Sequence, residues 1–262
     1  MRTIDQIIQN IEDEGKQLEF LSTGFRSLDD TLDGGFMRRE FVALGGYTGI
    51  GKSYLAGQFL WNIATVGFKT AYFSLEISDQ MVLSRLIGSL ANVKPTRIIR
   101  NYLTDVEREG VDKAKLKVIT YGNMIDIYDD VYDLLKIGQA VIEGKYDFVV
   151  VDFLQNIVHR GEEYERLSSI SLYLQQLAKK TNSCIMALSQ LSNSAAKQDL
   201  LEYKGSGAIA MVADLGFFIK RTDNDGKTND ISLILRKNRR GFSGSEFNLQ
   251  FQIPGGKIYE KK

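Results

Sequence analysis

The sequence contains 262 residues, 44% of them hydrophobic, and its 33 basic and 33 acidic residues cancel to give no net charge. We therefore expect one domain with a large core, in which any binding to nucleic acid depends on a local basic patch. The single cysteine excludes an intramolecular disulfide, and one cysteine with one histidine argues against a zinc site. No uncharged apolar run approaches the roughly 20 residues that span a bilayer, so we expect a soluble, cytoplasmic protein without a membrane partner.

Residues 3–14 predict a short amphipathic helix at the start of the chain. Thr3 can cap this helix, with Gln6 at the capping-box position. Isoleucines recur on one helical face at spacings of three and four, at Ile4, Ile7, Ile8 and Ile11. This stripe fits either of two roles, packing on its own domain or docking on a neighbouring subunit.

Beyond turn signals in residues 18–40, short apolar runs alternate with helical patterns. The strand candidates are residues 41–45, 70–75, 117–121, 147–152, 184–189, 214–220 and 231–236. The helical patterns lie near residues 52–66, 78–91, 104–114, 126–143 and 164–181. This alternation predicts an α/β fold with a mostly parallel sheet flanked by helices. The turn signal Asp223–Gly226 predicts an antiparallel hairpin over 214–236, and a further strand at 247–253 completes antiparallel C-terminal edge strands.

The segment after the first strand candidate fits the P-loop pattern G-x-x-x-x-G-K-[ST]. Its residues are Gly46, Tyr47, Thr48, Gly49, Ile50, Gly51, Lys52 and Ser53. The glycines allow the backbone to curl so that its N–H groups converge on phosphate oxygens, and the following helix adds the positive end of its dipole. Lys52 would neutralise the β- and γ-phosphates and the Ser53 hydroxyl would ligate Mg²⁺. The motif therefore predicts a nucleoside triphosphate site.

Two acidic residues follow strand candidates that should end at the same edge of the sheet as the P-loop. Asp152 ends the apolar run 147–152 and is a candidate Mg²⁺ ligand, usually through water. Glu76 follows the run 70–75 and is a candidate base for the attacking water. The alternatives are an Asp that caps the next segment and a surface Glu at the start of the next helix.

Five separated motifs occur in an order that resembles the RecA-type ATPase domain of DnaB-like replicative helicases. They are the P-loop, Tyr72–Glu76, Val151–Gln155, Ala187–Leu191 and Lys237–Gly241, with an entry segment at Thr23–Asp29. The resemblance covers about residues 20–255. It implies a RecA-like P-loop ATPase core in a ring, usually hexameric, that hydrolyses ATP with Mg²⁺ to translocate on single-stranded DNA and unwind duplex during replication.

The resemblance also implies roles for individual residues. Lys52, Ser53, Asp152 and Glu76 would act on the nucleotide as described above, and Gln190 would sense the γ-phosphate and couple it to a DNA-facing loop. Arg239, with Lys237, would reach the ATP of a neighbouring subunit as an arginine finger. Arg239 belongs to the basic run Arg236–Arg240, for which a solvated turn or a nucleic-acid patch is the alternative.

Two polar loops are candidates for DNA contact. The first, residues 156–165, contains His159 and Arg160, of which we take Arg160 as the phosphate contact. The second, residues 193–207, offers Lys197, Lys204, Gly205 and Gly207. A solvated loop without a ligand is the alternative for both.

The resemblance divides the chain into a linker-like helix, residues 1–17, and an ATPase/helicase domain, residues 18–262. It favours docking of the first helix on an adjacent subunit. Full-length bacterial members carry an N-terminal helical domain that contacts primase, so we expect an excised domain or a compact natural version, with primase or a helicase loader as possible partners. Two other classes stay open: a RecA/RadA/KaiC-like ATPase without helicase activity, and an ATP-gated assembly subunit with little turnover.

Overall fold

The computed structural model describes residues 3–6, 8–9, 19–190, 207–222 and 229–261. Within these ranges the strands are β1 (Phe41–Gly46), β2 (Thr70–Ser74), β3 (Ile125–Tyr128), β4 (Phe148–Asp152), β5 (Cys184–Gln190), β6 (Leu215–Arg221), β7 (Asp230–Asn238), β8 (Glu246–Gln252) and β9 (Lys257–Glu260). They form one sheet in the order β3-β2-β4-β5-β1-β6-β7-β8-β9. Pairing is parallel from β3 to β6 and antiparallel from β6 to β9. The predicted α/β fold with antiparallel C-terminal edge strands is confirmed.

The helices of the described residues flank this sheet. They are α1 (Arg26–Thr31), α2 (Lys52–Thr65), α3 (Asp79–Ala91), α4 (Pro95–Ile99), α5 (Asp105–Thr120), α6 (Leu134–Gly144), α7 (Glu163–Thr181) and α8 (Gly207–Val212), with short 3₁₀ turns at Gly122–Met124 and Leu154–Asn156. One core lies between the sheet and α1 and α2, and a second lies between the sheet and α6, α7 and α8. Strands β1, β2 and β4 are therefore buried along their whole length, as apolar runs in a sheet covered on both faces.

The order of the strands places the P-loop and two other strand ends together. Gly46 at the end of β1 pairs with Gln190 at the end of β5, and Ser74 at the end of β2 pairs with Asp152 at the end of β4. Since all four strands are parallel, these carboxyl ends form one edge, which we call the P-loop edge. Strand β7 runs the other way, so its last residue, Asn238, lies opposite Leu215 at the far edge.

The region from residue 104 to 143 differs from the prediction. Residues 117–121, predicted as a strand, are the last turn of α5 and the residue after it. A Thr104–Glu107 capping box starts this helix, which continues past the predicted end at 114. The strand is β3 instead, and the helix predicted over 126–143 begins only at Leu134, where the Asp133 side chain accepts hydrogen bonds from the Leu135 and Lys136 amides. The mistake arose because an apolar run of five residues fits a strand and a helix end equally well.

The start of the chain matches the prediction as far as it is described. Residues 4–6 and 8–9 are helical. The Thr3 and Gln6 side chains exchange hydrogen bonds with each other's backbone amides at 3.3 and 3.0 Å. Ile4 and Ile8 are 74% and 49% exposed, whereas Ile7, Ile11 and the hairpin turn at 223–226 lie outside the described residues. No helix in the described part of the chain has the length and apolar character needed to cross a membrane.

Candidate nucleotide-binding site

The P-loop connects β1 to α2 through two glycines with positive φ. Gly49 and Gly51 have φ values of 76° and 109°. This region favours glycine, because the Cβ atom of any other residue is sterically unfavourable there. Gly51 is the N-cap of α2 and has no side chain to cap the first turn. The free amides at this end and the positive end of the helix dipole therefore face the hollow of the loop, which is suited to an anion.

The Lys52 side chain lies inside this hollow and is 8% exposed. Its Nζ donates to the carbonyl oxygens of Gly46 at 2.8 Å and Tyr47 at 3.0 Å. Burial lowers the pKa of Lys52, whereas the carboxylates of Asp152 and Glu76 act in the opposite direction. An ammonium group thus lies among backbone carbonyls and acidic side chains, where a phosphate could pair with it.

Asp152 ends β4 and is 3% exposed. Its Oδ2 accepts a hydrogen bond of 2.6 Å from the Tyr72 hydroxyl. Burial, followed by the nearby Asp152 carboxylate, raises the pKa of Tyr72 well above its ordinary value, so the phenol is a donor at neutral pH. Tyr72 was missed in the sequence because an aromatic residue within a strand run predicts only core packing.

Glu76 follows β2 and has an exposed side chain at the same cleft as Lys52, Asp152 and Gln190. The backbone beneath it is fixed, because the Leu75 amide donates to the Asp152 carbonyl at 2.8 Å and the Asn156 side chain donates to the Leu75 carbonyl at 2.8 Å. Asn156 was also missed, since nothing in a polar loop shows that it contacts a strand end 81 residues away.

Gln190 is the last residue of β5 and lines the cleft beside the P-loop. Its neighbour Ser189 is buried and accepts a hydrogen bond of 2.9 Å from the Gln155 side chain. This bond joins the end of β5 to the segment that follows Asp152. A displacement of either segment would therefore displace the other.

The cleft has a volume of about 260 Å³ and an aromatic wall on the side of the antiparallel strands. The Tyr54 ring contacts Phe251 edge to face at 5.1 Å, and the Arg85 guanidinium lies 5.0 Å from the Tyr54 ring centre. Such a wall suits a flat aromatic ring such as a nucleobase. Its residues come from three distant segments, so no local signal in the sequence indicated it.

The residues at the metal side of the cleft fit Mg²⁺. The Ser53 hydroxyl and the Asp152 carboxylate are oxygen ligands, which Mg²⁺ prefers. Among the described residues, no group of three or more His, Cys, Asp or Glu side chains could hold a metal alone.

Arg239 and Lys237 lie away from their own P-loop. The Arg239 guanidinium contacts the Asp214 carboxylate and the Met211 carbonyl, both at 2.9 Å. Asp214 in turn accepts from the Phe41 amide, at the start of β1. Gly46 is five residues further along β1, a separation of roughly 16 Å at about 3.3 Å per residue. The Lys237 Nζ donates to the Ala210 and Met211 carbonyls at the same far edge.

The candidate DNA contacts are only partly described. Arg160 and His159 are exposed in the segment between the 3₁₀ turn and α7. Gly207 is the first residue of α8 rather than the end of a loop. Lys197, Lys204 and Gly205 lie outside the described residues.

The fold and the cleft define a P-loop nucleotide-binding domain with a RecA-like sheet. A model of the DnaB-like helicase C-terminal domain matches residues 21–258, and the chain belongs to this family. The chain is 33% identical over 247 residues to a protein named replicative DNA helicase DnaB from Treponema pallidum, covering 88% of this chain and 54% of the relative. It is 28% identical over 262 residues to one of the same name from Geobacillus stearothermophilus, covering 94% and 57%. The chain thus spans little more than half the length of these relatives.

Solved structures agree on the fold. A structure described as an ATPase domain superposes with a TM-score of 0.87 at 21% identity, covering all of both chains. A DnaB-like replicative helicase, studied with its interactions with primase, superposes with a TM-score of 0.84 at 23% identity, covering all of this chain and 68% of that one.

Proposed function

We propose that this chain is the ATP-hydrolysing motor domain of a ring-forming replicative DNA helicase, which translocates on single-stranded DNA and unwinds duplex. The observation that carries the proposal is that the proposed catalytic groups lie at two opposite edges of one sheet. Lys52, Glu76 and Asp152 lie at the P-loop edge, and Arg239 lies at the far edge. A complete site would therefore combine the two edges of adjacent copies. The names of the relatives support the helicase role.

ATP would bind with its phosphates in the P-loop, held by the backbone amides of residues 46–53 and by Lys52. Lys52 would exchange the carbonyls of Gly46 and Tyr47 for phosphate oxygens. Ser53 and Asp152 would hold Mg²⁺, which supplies charge neutralisation between the β- and γ-phosphates. The base would rest against Tyr54, Arg85 and Phe251.

Glu76 would orient the attacking water and accept its proton, because its carboxylate is exposed in the cleft beside Lys52. Gln190 would contact the γ-phosphate, and its position at the end of β5 would pass the change towards residues 191–206 and the DNA. Arg160, Lys197, Lys204, Gly205 and Gly207 remain the proposed DNA contacts, through phosphate oxygens.

Arg239, supported by Lys237, would stabilise the transition state on the neighbouring copy. Each subunit would then donate a finger from one edge and receive one at the other.

We assign residues 18–262 to the motor and residues 1–17 to a linker-like helix. Exposure of Ile4 and Ile8 supports docking of that helix on the next copy. A hexamer is the proposed ring, with single-stranded DNA as ligand and primase or a helicase loader as further partners.

The test is ATP hydrolysis measured against protein concentration, with and without single-stranded DNA, followed by unwinding of a forked duplex. We expect turnover per chain to rise cooperatively with concentration, to increase with DNA, and to drive strand separation. Turnover that is independent of concentration would contradict the shared site. Hydrolysis without unwinding would favour a RecA- or KaiC-like ATPase, and little turnover under all conditions would favour an assembly subunit.

A further inference from the structure

Tyr72 is a buried phenol whose hydroxyl reaches the metal side of the cleft. The residue is 2% exposed, and its ring belongs to the core between the sheet and α2. Its backbone pairs with Val150, two residues before Asp152, so the side chain extends along the face of the sheet to reach the carboxylate. An apolar residue at this position would fill the core equally well but could not make that hydrogen bond.

The hydroxyl contacts the carboxylate that is suited to Mg²⁺. It donates to Oδ2 of Asp152 at 2.6 Å, within the short range of hydrogen bonds to ionised acceptors. The bond to Oδ2 fixes the rotation of the carboxylate, and the remaining acceptor positions of Asp152 would serve Mg²⁺.

We propose that Tyr72 is a positioning residue that holds Asp152 in its metal-binding orientation before the nucleotide arrives. The inference rests on the proposed function, since it deepens the assignment of the Mg²⁺ site. Outer contacts of this kind fix the geometry of a metal ligand, and their removal typically costs about 10–100-fold in metal affinity. The phosphate contacts of the P-loop amides and Lys52 do not involve the phenol, so nucleotide binding without metal should not depend on it.

A buried tyrosine elsewhere in the chain provides a matched control. Tyr146 is also 2% exposed, and its hydroxyl donates to the Asp126 carboxylate at 2.6 Å. This pair lies outside the residues that line the nucleotide cleft. Tyr72→Phe and Tyr146→Phe therefore each remove a buried phenol hydroxyl that donates to a carboxylate, and only Tyr72 is bonded to a carboxylate that lines the cleft.

The experiment measures binding of a fluorescent ADP analogue to the full chain, in EDTA and over a titration of free Mg²⁺, without DNA. In EDTA, we expect Tyr72→Phe to bind the ADP analogue with an affinity within about twofold of the unchanged protein. The free Mg²⁺ concentration at the midpoint of the titration should rise roughly tenfold or more. Tyr146→Phe should leave both quantities unchanged. In an Asp152→Asn background, Tyr72→Phe should shift the Mg²⁺ midpoint much less, because the group that the phenol positions has lost its charge.

Thermal unfolding checks that each variant is folded. If Tyr72→Phe is not folded, Tyr72→Leu is used in its place. A Mg²⁺ midpoint that moves no more than in Tyr146→Phe would overturn the inference and leave Tyr72 as a core residue. An equal loss of affinity in EDTA would also overturn it, since the P-loop itself would then be disturbed. If Mg²⁺ has no effect on nucleotide binding by the unchanged protein, the proposed Mg²⁺ site fails and the role of Tyr72 fails with it; a Mg²⁺ effect that Tyr72→Phe leaves unchanged overturns the role of Tyr72 alone.

Discussion

Arg239 and Arg240 are neighbours in the sequence but have different surroundings in the structure. Arg240 pairs with Glu40 at 2.9 Å and donates to the carbonyls of Leu32 and Gly35, which joins β7 to the segment before β1. The Arg239 side chain is 45% exposed and is held by Asp214 and one carbonyl. Arg240 is thus a structural residue, and Arg239 is the one able to extend towards another copy.

We expect Arg240→Ala to lower the free energy of unfolding by about 2–4 kcal/mol, because it leaves a mostly buried carboxylate without its partner. Arg239→Ala should cost less than about 1 kcal/mol, as expected for a half-exposed ion pair. Urea denaturation of the two variants gives the comparison. Equal losses would contradict the division of roles between the two arginines.

Arg240→Ala should also change how the free energy of unfolding depends on pH. Burial raises the pKa of Glu40 above 4.5, and Arg240 opposes this shift. A raised pKa in the folded state means that the folded protein binds the proton more tightly, so stability falls as pH rises from 4.5 through the folded value. Without Arg240 the pKa of Glu40 rises further, so the fall in stability above pH 4.5 should extend to higher pH in Arg240→Ala than in the unchanged protein.

Glu76→Gln should abolish ATP hydrolysis, by a factor of about 10²–10⁴, while nucleotide binding persists. The amide keeps the shape of the side chain but cannot accept the proton of the attacking water. Turnover and binding of a fluorescent nucleotide are measured on the same preparation, with Glu109→Gln on the exposed face of α5 as the control. Hydrolysis that survives in Glu76→Gln would place the base elsewhere.

How far the site could be predicted from the sequence depended on how local each signal was. The P-loop was predicted because its eight residues and flanking elements are adjacent, and Asp152 was assigned from the apolar strand before it. Tyr72 and Asn156 were not predicted, because their partners lie 80 and 81 residues away. Nor could the sequence separate Arg239 from Arg240, since only the fold shows that one of them meets Glu40.

At the scale of elements, the strands that are strongly apolar runs beside helical patterns were predicted well. β1, β4 and β5 are buried runs between helices and were placed within a residue or two. β3 was missed because it has only four residues, none fully buried, beside the longer helix α5. At the edge of a sheet the hydrophobic pattern is weak, so periodicity alone could not place this strand.

Helix α1 is capped from the far end of the chain. The Glu260 carboxylate accepts from the Arg26 and Ser27 amides at 2.9 and 2.7 Å and from the Ser27 hydroxyl. Since α1 has no side-chain cap at Phe25, β9 supplies the missing acceptor. The contact joins the two ends of the described domain and lies beside the core that supports α2.

We expect Glu260→Ala to lower the free energy of unfolding by about 1–2 kcal/mol, the usual cost of losing a helix cap. Lys257→Ala, at an exposed position of the same strand, should change it by less than about 0.5 kcal/mol. Chemical denaturation of both variants tests the cap. A loss in Glu260→Ala no greater than in Lys257→Ala would mean that solvent replaces the carboxylate without cost.

At the scale of the whole molecule, the sheet is a stiff connection between the P-loop and the proposed finger Arg239. β1 carries the P-loop at one end, and its first residue contacts Asp214, the partner of Arg239, at the other. Strands β1, β6 and β7 are hydrogen-bonded side by side, so the distance between these groups is fixed within one copy. Changes at a nucleotide would therefore pass to the next copy mainly as rigid-body movement.

Mixing two inactive variants tests the shared site. Lys52→Ala should prevent phosphate binding, and Arg239→Ala should remove the finger, so each protein alone should show almost no hydrolysis. In mixed assemblies, some interfaces combine an intact P-loop from one copy with an intact finger from another, and part of the activity should return. Hydrolysis is measured over a range of mixing ratios, and no recovery at any ratio would contradict a finger that acts between copies.

If Arg239 is the proposed finger, its place at the edge opposite the P-loop bears on how a DNA strand could enter. On the proposed arrangement, an open arc of copies has one complete site fewer than it has subunits, because its two end copies each keep an unmatched half. Closure of the arc forms the last site, so a nucleotide bound there would contact both end copies and hold the ring closed. Opening the ring for a strand to pass would then be favoured when that one site is empty.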